Sequence, residues 1–434
     1  MLDGFAIFAL GVAMPLIIAE FHIRPGIVGL IGAALVLGAV FGAGVGGPVA
    51  DRLGRKRLMV ADMIIISVGA ATSALANGPA MLFVGQFLVG VGVGIDFPVS
   101  GTYISEVLPE RSRSRMMVAT IACQSVGMLV AAAITLLLLG NVKSAQNWRL
   151  FLAMEGIIAL LFFLLRLSAP DSPHWLMTRG KFAKAAHAFI HIIPEQREAV
   201  LQLTSHAREK SLANSIAPAK APGLGILFSR PYRARTVLVA VPWFLMDIAT
   251  YGVGLFTPII LGAIDISSQR GGLISRDLAN ARGSAAIDLF LFFGFLLGIW
   301  AVPRFGRIRM QIIGFGSMAF GMLILMTAVQ LSSSPASAGH IPLVFAGFIL
   351  FNLLMNAGPN ATTFTLAPIL FPTQLRATAS GFAAGVAKIG ATLGVFALPI
   401  LKGKFGVPAV LGMMAAVSVL GLVITLIFGH EDTE

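Results

Sequence analysis

The sequence predicts an all-α membrane protein in which twelve transmembrane helices form two pseudo-symmetric six-helix bundles. Three observations carry that reading. Only 12% of the 434 residues are charged and 57% are apolar, whereas a soluble protein carries about 25% charge. So few charges cannot cover a water-facing surface, and the mean hydropathy of +0.89 agrees. Twelve apolar stretches reach the roughly 20 residues that a helix needs to cross the hydrocarbon. Finally, short loops recur at matching places in the two halves of the chain. A soluble enzyme is excluded.

The apolar stretches lie near 2–20, 27–50, 58–76, 80–107, 116–140, 147–168, 236–263, 285–302, 310–332, 340–368, 377–402 and 405–428. Several exceed the membrane thickness and are expected to tilt. The first has no basic leader and eleven more follow, so it reads as an anchor and not a cleaved signal peptide. From Asp3 to Ile18 it rises only roughly 22 Å, which predicts a truncated first helix or a start placed too late. The polar segment 169–235 separates residues 1–168 from 236–434. It carries Lys181, Lys184, Arg197, Glu198 and Glu209 among Phe182, Phe189 and Ile192, the pattern of short amphipathic helices lying on the membrane face.

Basic residues decide orientation. The loops 51–57, 108–115, 169–235, 303–309 and 369–376 hold 21 of them, against seven in the opposite loops, and Arg149, Arg166 and Lys388 lie within or at the ends of spans. Both termini are therefore expected in the cytoplasm. The net charge of +12 reports this asymmetry and needs no nucleic-acid partner. Cys123 is the single cysteine, so no intrachain disulfide forms. The histidines at 22, 174, 187, 191, 206, 340 and 430 sit in or beside polar segments, and neither a metal nor a cofactor is expected.

The loop after span 2 reads Asp51-Arg52-Leu53-Gly54-Arg55-Lys56-Arg57, and the loop after span 8 reads Pro303-Arg304-Phe305-Gly306-Arg307-Ile308-Arg309. Glu106-Val107-Leu108-Pro109-Glu110-Arg111 after span 4 is matched by Phe371-Pro372-Thr373-Gln374-Leu375-Arg376 after span 10. The glycine permits a sharp reversal at the membrane surface, and the arginines can bind carboxylates or helix C-termini on neighbouring spans. Parallel six-helix repeats with a substrate site between them at mid-membrane are a transporter architecture.

An ionised carboxylate at the bilayer centre costs about 2.5–3.5 kcal/mol even on insertion scales. Asp96, Asp247 and Asp288 lie within apolar runs, and Asp62, Glu106 and Glu155 lie nearer their ends. Such groups face a wet cavity, pair with a cation or hold a proton. Trp243, Asp247 and Tyr251 recur every four residues, which stacks them on one face of span 7 over roughly 12 Å. An acid between two aromatics can line a polar cavity. Asn356 and Asn360 bracket Gly358-Pro359, a dipeptide that breaks the helix ladder. The break either is a plain kink or lines a cavity. Gln124 faces either a neighbouring helix or a ligand, and Lys388 serves either an ion pair or an anion. Gly90-Val91-Gly92-Val93-Gly94 lacks the strand and the Gly-Lys-Ser/Thr of a nucleotide loop, so helix crossing explains it better.

Gly47-Pro48-Val49-Ala50-Asp51-Arg52-Leu53-Gly54-Arg55-Lys56 resembles the signature loop of the major facilitator superfamily. Pro170-Asp171-Ser172-Pro173-His174-Trp175-Leu176 resembles the sugar-porter motif after span 6, with His in place of the usual Arg. The segments Asp96–Ser100, Trp243–Tyr251, Asn356–Phe364, Phe371-Pro372-Thr373 and Ala387-Lys388-Ile389-Gly390 are similar to the phosphate:proton symporter family. The resemblance implies substrate contacts at Gln124, Trp243, Asp247, Tyr251, Asn356 and Lys388. It implies proton handling at Asp3, Asp62 and Asp96. Its loop motif falls on Gly47, Asp51, Arg52, Gly54 and Arg55, and in the second half on Arg304, Gly306 and Arg307. Two departures bear on substrate choice: Phe97 stands where the family has a tyrosine, and Ala6 where span 1 carries a second acid.

The expected function is secondary active transport by alternating access: proton-coupled symport of a small anion, inorganic phosphate first, in a bacterial-type cytoplasmic membrane. The expected partners are that anion, protons and the lipid bilayer, with the protein a monomer. An organic acid or sugar is the alternative substrate. A nutrient sensor that binds without transporting is the alternative of another class. No cluster at catalytic spacing supports an enzyme.

Overall fold

A computed structural model gives the structure of the chain, and residues 1–141, 146–213, 223–253, 273–331 and 341–429 are described. The side chain of Asp288 lies outside what is described, as do Lys143, Lys220, Arg270, His340 and His430. Among the described residues, eleven helices are long and apolar enough to cross a membrane. A shorter apolar stretch, Leu289–Phe305, falls at the expected eighth span.

In the first half the spans are α1 (Leu2–Phe21), α2 (Pro25–Leu53), α3 (Arg55–Ala74), α4 (Pro79–Val107), α5 (Glu110–Asn141) and α6 (Asn147–Leu167). Pro25 and Pro79 open their helices, where a missing N–H is no loss. The first helix has 20 residues and a rise of about 30 Å, longer than its apolar stretch suggested because it runs on through Ala19, Glu20 and Phe21. Span 5 starts at Glu110 and not near 116. Its ladder continues through Arg111, Arg113 and Arg115 beyond the apolar run, since a helix can leave the bilayer with charged side chains once water is there to receive them.

The polar segment folds as α7 (Pro173–Thr178), α8 (Phe182–Ile192) and α9 (Arg197–Ala213), with a 3₁₀ turn at Leu224–Phe228. Ser172 caps α7 by accepting the Trp175 N–H at 3.2 Å. The second α8 buries Ala185, Ala186 and Ala188 and half-buries Phe182, Phe189 and Ile192, the amphipathic face that the pattern predicts.

In the second half the spans are α10 (Arg233–Val253), α11 (Leu273–Phe305) and α12 (Arg307–Leu331). Span 10 follows as α13 (Ile341–Met355) and α14 (Ala361–Leu370), joined by a π turn at Asn356–Asn360. The final run, α15 (Arg376–Phe428), holds spans 11 and 12 and bends at Gly406, whose φ is 78°. Here the structure modifies one expectation. Gly358-Pro359 does not break span 10; the helix widens by one residue per turn, which gives the proline ring room beside the preceding turn while the axis continues. Gly314 of span 9 receives that ring, and any side chain there would collide with it.

Each half has its own apolar core. One cluster draws only on the first half, Leu2 to Ala159. The other draws on the second half, joined by Ala43, Ile121 and Ala122 of spans 2 and 5. The glycine run of span 4 serves close crossing: a methyl on Gly90 would strike the Leu35 carbonyl of span 2, and one on Gly94 the Ala39 carbonyl. Small residues let the two backbones approach in lipid, where packing replaces the hydrophobic drive.

Candidate functional site

Span 7 presents Trp243, Asp247 and Tyr251 on one face, and span 11 brings Lys388 to that face. The Lys388 Nζ donates to Asp247 Oδ2 at 3.4 Å and to the Tyr251 hydroxyl at 3.2 Å. The Trp243 indole lies beside Asp247, one turn earlier on the same face. Both ends of the ion pair are sealed, with side-chain exposures of 8% for Lys388 and 4% for Asp247. The ammonium lies 5.1 Å from the centre of the Phe97 ring of span 4 and 5.3 Å from that of Tyr251, within range of their negative faces. Phe97 in turn meets Trp243 and Phe364 edge-on, each at 6.2 Å. Phe97 belongs to the first half and Trp243, Phe364 and Lys388 to the second, so this group spans the plane between the bundles. Asp3 of span 1 lies within electrostatic range of Lys388, Asp247 and Asp96.

Two residues implied as substrate contacts are placed differently. Asn356 is fully buried. Its amide donates to the Asn352 carbonyl at 2.7 Å and accepts from Asn360 at 2.8 Å. The half-buried Asn360 keeps donor and acceptor capacity and is the more open of the two. Gln124 is half-buried on span 5, its backbone carbonyl covered by Gly4 of span 1. No hydrogen bond ties its amide to the Lys388 group.

A second group lies in the first bundle. Arg166 of span 6 donates to both oxygens of Asp62 on span 3, at 3.0 and 2.9 Å, and to Asp96 Oδ1 on span 4 at 2.7 Å. Ser100 adds a bond to Asp96 Oδ1 at 2.6 Å. Asp62 and Asp96, implied as proton-handling, thus meet on one guanidinium that the sequence marked only as a basic residue near a span end. Asp3 is within electrostatic range of Asp96 but makes none of the triad's hydrogen bonds. Glu155 of span 6 is fully buried with neither carboxylate oxygen bonded.

A third group closes the end of the bundles that carries the arginine-rich loops. Gly54 takes φ 103° and Gly306 φ 88°, the left-handed region that the sharp reversals require. Arg55 is wholly buried. It pairs with Asp51 at 3.0 Å and Glu106 at 2.8 Å, and donates across the halves to the Thr373 carbonyl at 3.0 Å. Asp51 Oδ2 accepts from the Thr378 N–H at 2.8 Å and its hydroxyl at 2.7 Å. Asp171, in the motif before α7, takes the Arg55 and Lys56 backbone N–H groups at 3.0 and 3.2 Å. A side chain on Gly47 would strike the Ala377 carbonyl. Arg52 is exposed, as is Arg304, which lies over the Trp300 ring at 4.7 Å. Arg307 is half-buried. The repeat is therefore unequal: the first loop carries the acid and the closure, and Pro303 stands where the second would need an aspartate.

The chain is similar in sequence and in fold to known transporters. The chain is 27% identical over 395 residues to low affinity inorganic phosphate transporter 4 of Medicago truncatula, covering 85% of this chain and 72% of the relative. It is 26% identical over 400 residues to the inner membrane metabolite transport protein YgcS of Escherichia coli (strain K12), covering 92% and 81%. The fold superposes on the proton:xylose symporter XylE bound to 6-bromo-6-deoxy-D-glucose with a TM-score of 0.79 and 18% identity, over 98% of this chain and 93% of that one. The model of the family described as "Sugar (and other) transporter" matches residues 26–432. The protein belongs to that family, and is a secondary transporter of the major facilitator type.

Proposed function

We propose that the protein is a proton-coupled symporter of a small anion, inorganic phosphate being the first candidate. The observation that carries the reading is the buried Lys388–Asp247 pair between the bundles. A buried cation whose one ion-paired carboxylate among the described residues can take up a proton is a conditional anion site. When Asp247 is neutral, Lys388, the Tyr251 hydroxyl and the Trp243 N–H are free to receive an incoming anion. When Asp247 loses its proton, it competes with the anion and favours release. The two bundles then rock about the site and expose it to the other side.

The arginine-rich loops face the cytoplasm in this reading, both termini lie inside, and 169–235 covers the inner face. The membrane potential contributes about 2.3 kcal/mol per unit charge per 100 mV, so electrogenic uptake of a univalent anion needs more than one proton per anion. The similarity to plant phosphate transporters supports the substrate. Uptake of labelled phosphate into proteoliposomes under a pH gradient tests it: accumulation is expected, and its absence beside accumulation of a carboxylate or sugar refutes it. Binding without any flux would instead mark a sensor.

One observation favours a second reading. Phe97, Trp243 and Phe364 form an apolar wall beside Lys388. That wall suits an organic acid, with its carboxylate at Lys388 and its carbon body on the rings, and the similarity to a bacterial metabolite transport protein agrees with it. The same uptake assay, run with competing organic acids, separates the two.

A further inference from the structure

We propose that Asp62 and Asp96 share a single proton, and that Arg166 is the positioning residue that holds them together to do so. The proposal deepens the proton-coupled reading by locating where a coupling proton binds, away from Lys388.

The charge balance comes first. Two carboxylates converge on one guanidinium within the membrane-spanning part of the first bundle. The Asp62 side chain is 0% exposed, that of Asp96 33%, and that of Arg166 17%. The first helix also brings Asp3 and the Met1 amine into electrostatic range of Asp96; these are one charge of each sign and leave the excess of one negative charge as it was. An excess charge at this depth in the bundle, with Asp62 wholly buried, is costly, and a proton removes it.

Hydrogen bonding points the same way. Asp62 and Asp96 occupy the two terminal nitrogens of one guanidinium, at 2.9–3.0 Å and 2.7 Å, which sets the two acids side by side. Ionised carboxylates only accept, so two of them side by side repel each other unless one holds a proton. Two acids brought together this way titrate as a pair and hold one proton jointly.

Arg166 is built to position the pair. One guanidinium nitrogen takes both Asp62 oxygens and the Met59 carbonyl at 2.9 Å, and the other takes Asp96. The fork geometry of arginine suits two acceptors at fixed angles, and lysine lacks it. The Met63 N–H completes Asp62 at 2.6 Å, as Ser100 completes Asp96. Asp62 is the closed side of the pair and Asp96 the open one, through which a proton arrives. The residue after Asp96 is Phe97, whose ring lies under Lys388 and against Trp243. Any shift of Asp96 on gaining or losing its proton is therefore transmitted through the adjoining peptide of span 4 to the wall of the substrate site.

The test uses the purified full-length protein in lipid. Infrared difference spectra between high and low pH should contain the carbonyl stretch of a protonated carboxyl group that is lost in both Asp62→Asn and Asp96→Asn, and that moves in frequency in Arg166→Lys. A band that persists in either aspartate variant overturns the shared proton, whatever the transported substrate proves to be. In proteoliposomes with labelled phosphate, the ratio of gradient-driven accumulation to counterflow is expected to fall about tenfold in Asp62→Asn, within the usual range of coupling energies. Arg166→Lys should recover part of what Arg166→Gln loses. A wild-type ratio in Asp62→Asn overturns the role in coupling. The infrared band with no phosphate uptake by the wild type refutes phosphate as substrate and leaves the proton site standing.

Discussion

Asp247 and Lys388 show how much one pair of side chains can be asked to do. Removing one partner of a buried pair leaves a charge without a counter-ion, at a cost of about 3–5 kcal/mol. The Tyr251 hydroxyl and the Phe97 ring remain beside Lys388 and offset part of that loss. Asp247→Asn is therefore expected to reach the membrane folded, seen as a single peak in gel filtration, and to lose coupled uptake. Uptake at the wild-type level would remove Asp247 from the mechanism. Phe97 is the position to change for substrate choice. Phe97→Tyr adds a hydroxyl to the ring beside Lys388, and a net hydrogen bond of about 0.7 kcal/mol lowers the half-saturation concentration for phosphate about threefold. A rise in that concentration, measured in the same uptake assay, would favour the organic-acid reading.

At the scale of elements, the crossing of spans 2 and 4 depends on having no side chain at Gly90 and Gly94. Gly94→Val would push span 4 from the Ala39 carbonyl and cost about 1–3 kcal/mol, read as a fall in the thermal unfolding midpoint in detergent. An unchanged midpoint would mean that the two helices separate freely. The elements also show what the amino-acid order reveals and conceals. Apolar runs place the spans because hydrocarbon imposes a minimum length, and the glycine turns are evident because only glycine takes φ near 100° without strain. The face of span 7 is readable because a fixed helical period sets it. The Arg166 triad is not readable: its members are 70 and 104 positions from the arginine, and bringing them together depends on how spans 3, 4 and 6 pack. Span 10 is half readable. The proline announces an irregularity, but only the neighbouring Gly314 determines that it becomes a wide turn that turns Asn356 inward onto its own helix.

At the scale of the whole molecule, the arginine-rich end is shut by contacts that cross the halves, Asp51 with Thr378 and Arg55 with Thr373. Alternating access requires those contacts to break. Asp51→Asn weakens them and is expected to raise the accessibility of that end. With the exposed Cys123 replaced by serine and Ser380→Cys as the reporter, alkylation from the loop side should speed up several-fold. An unchanged rate would mean that the closure does not rest on Asp51.

The same closure is lopsided in what each bundle brings to it. The first bundle contributes Asp51, Arg55 and Glu106, groups whose identity cannot drift. The second offers two main-chain groups, the Thr378 N–H and the Thr373 carbonyl, and, among the described residues, only two side chains, the Thr378 hydroxyl on Asp51 and the Arg376 guanidinium 3.9 Å from Glu106. A chimera keeping residues 1–168 and taking its second bundle from a relative with another substrate would thus inherit a working gate wherever that relative has counterparts of Thr378 and Arg376, so that cargo could change over generations while the door mechanism stayed the same.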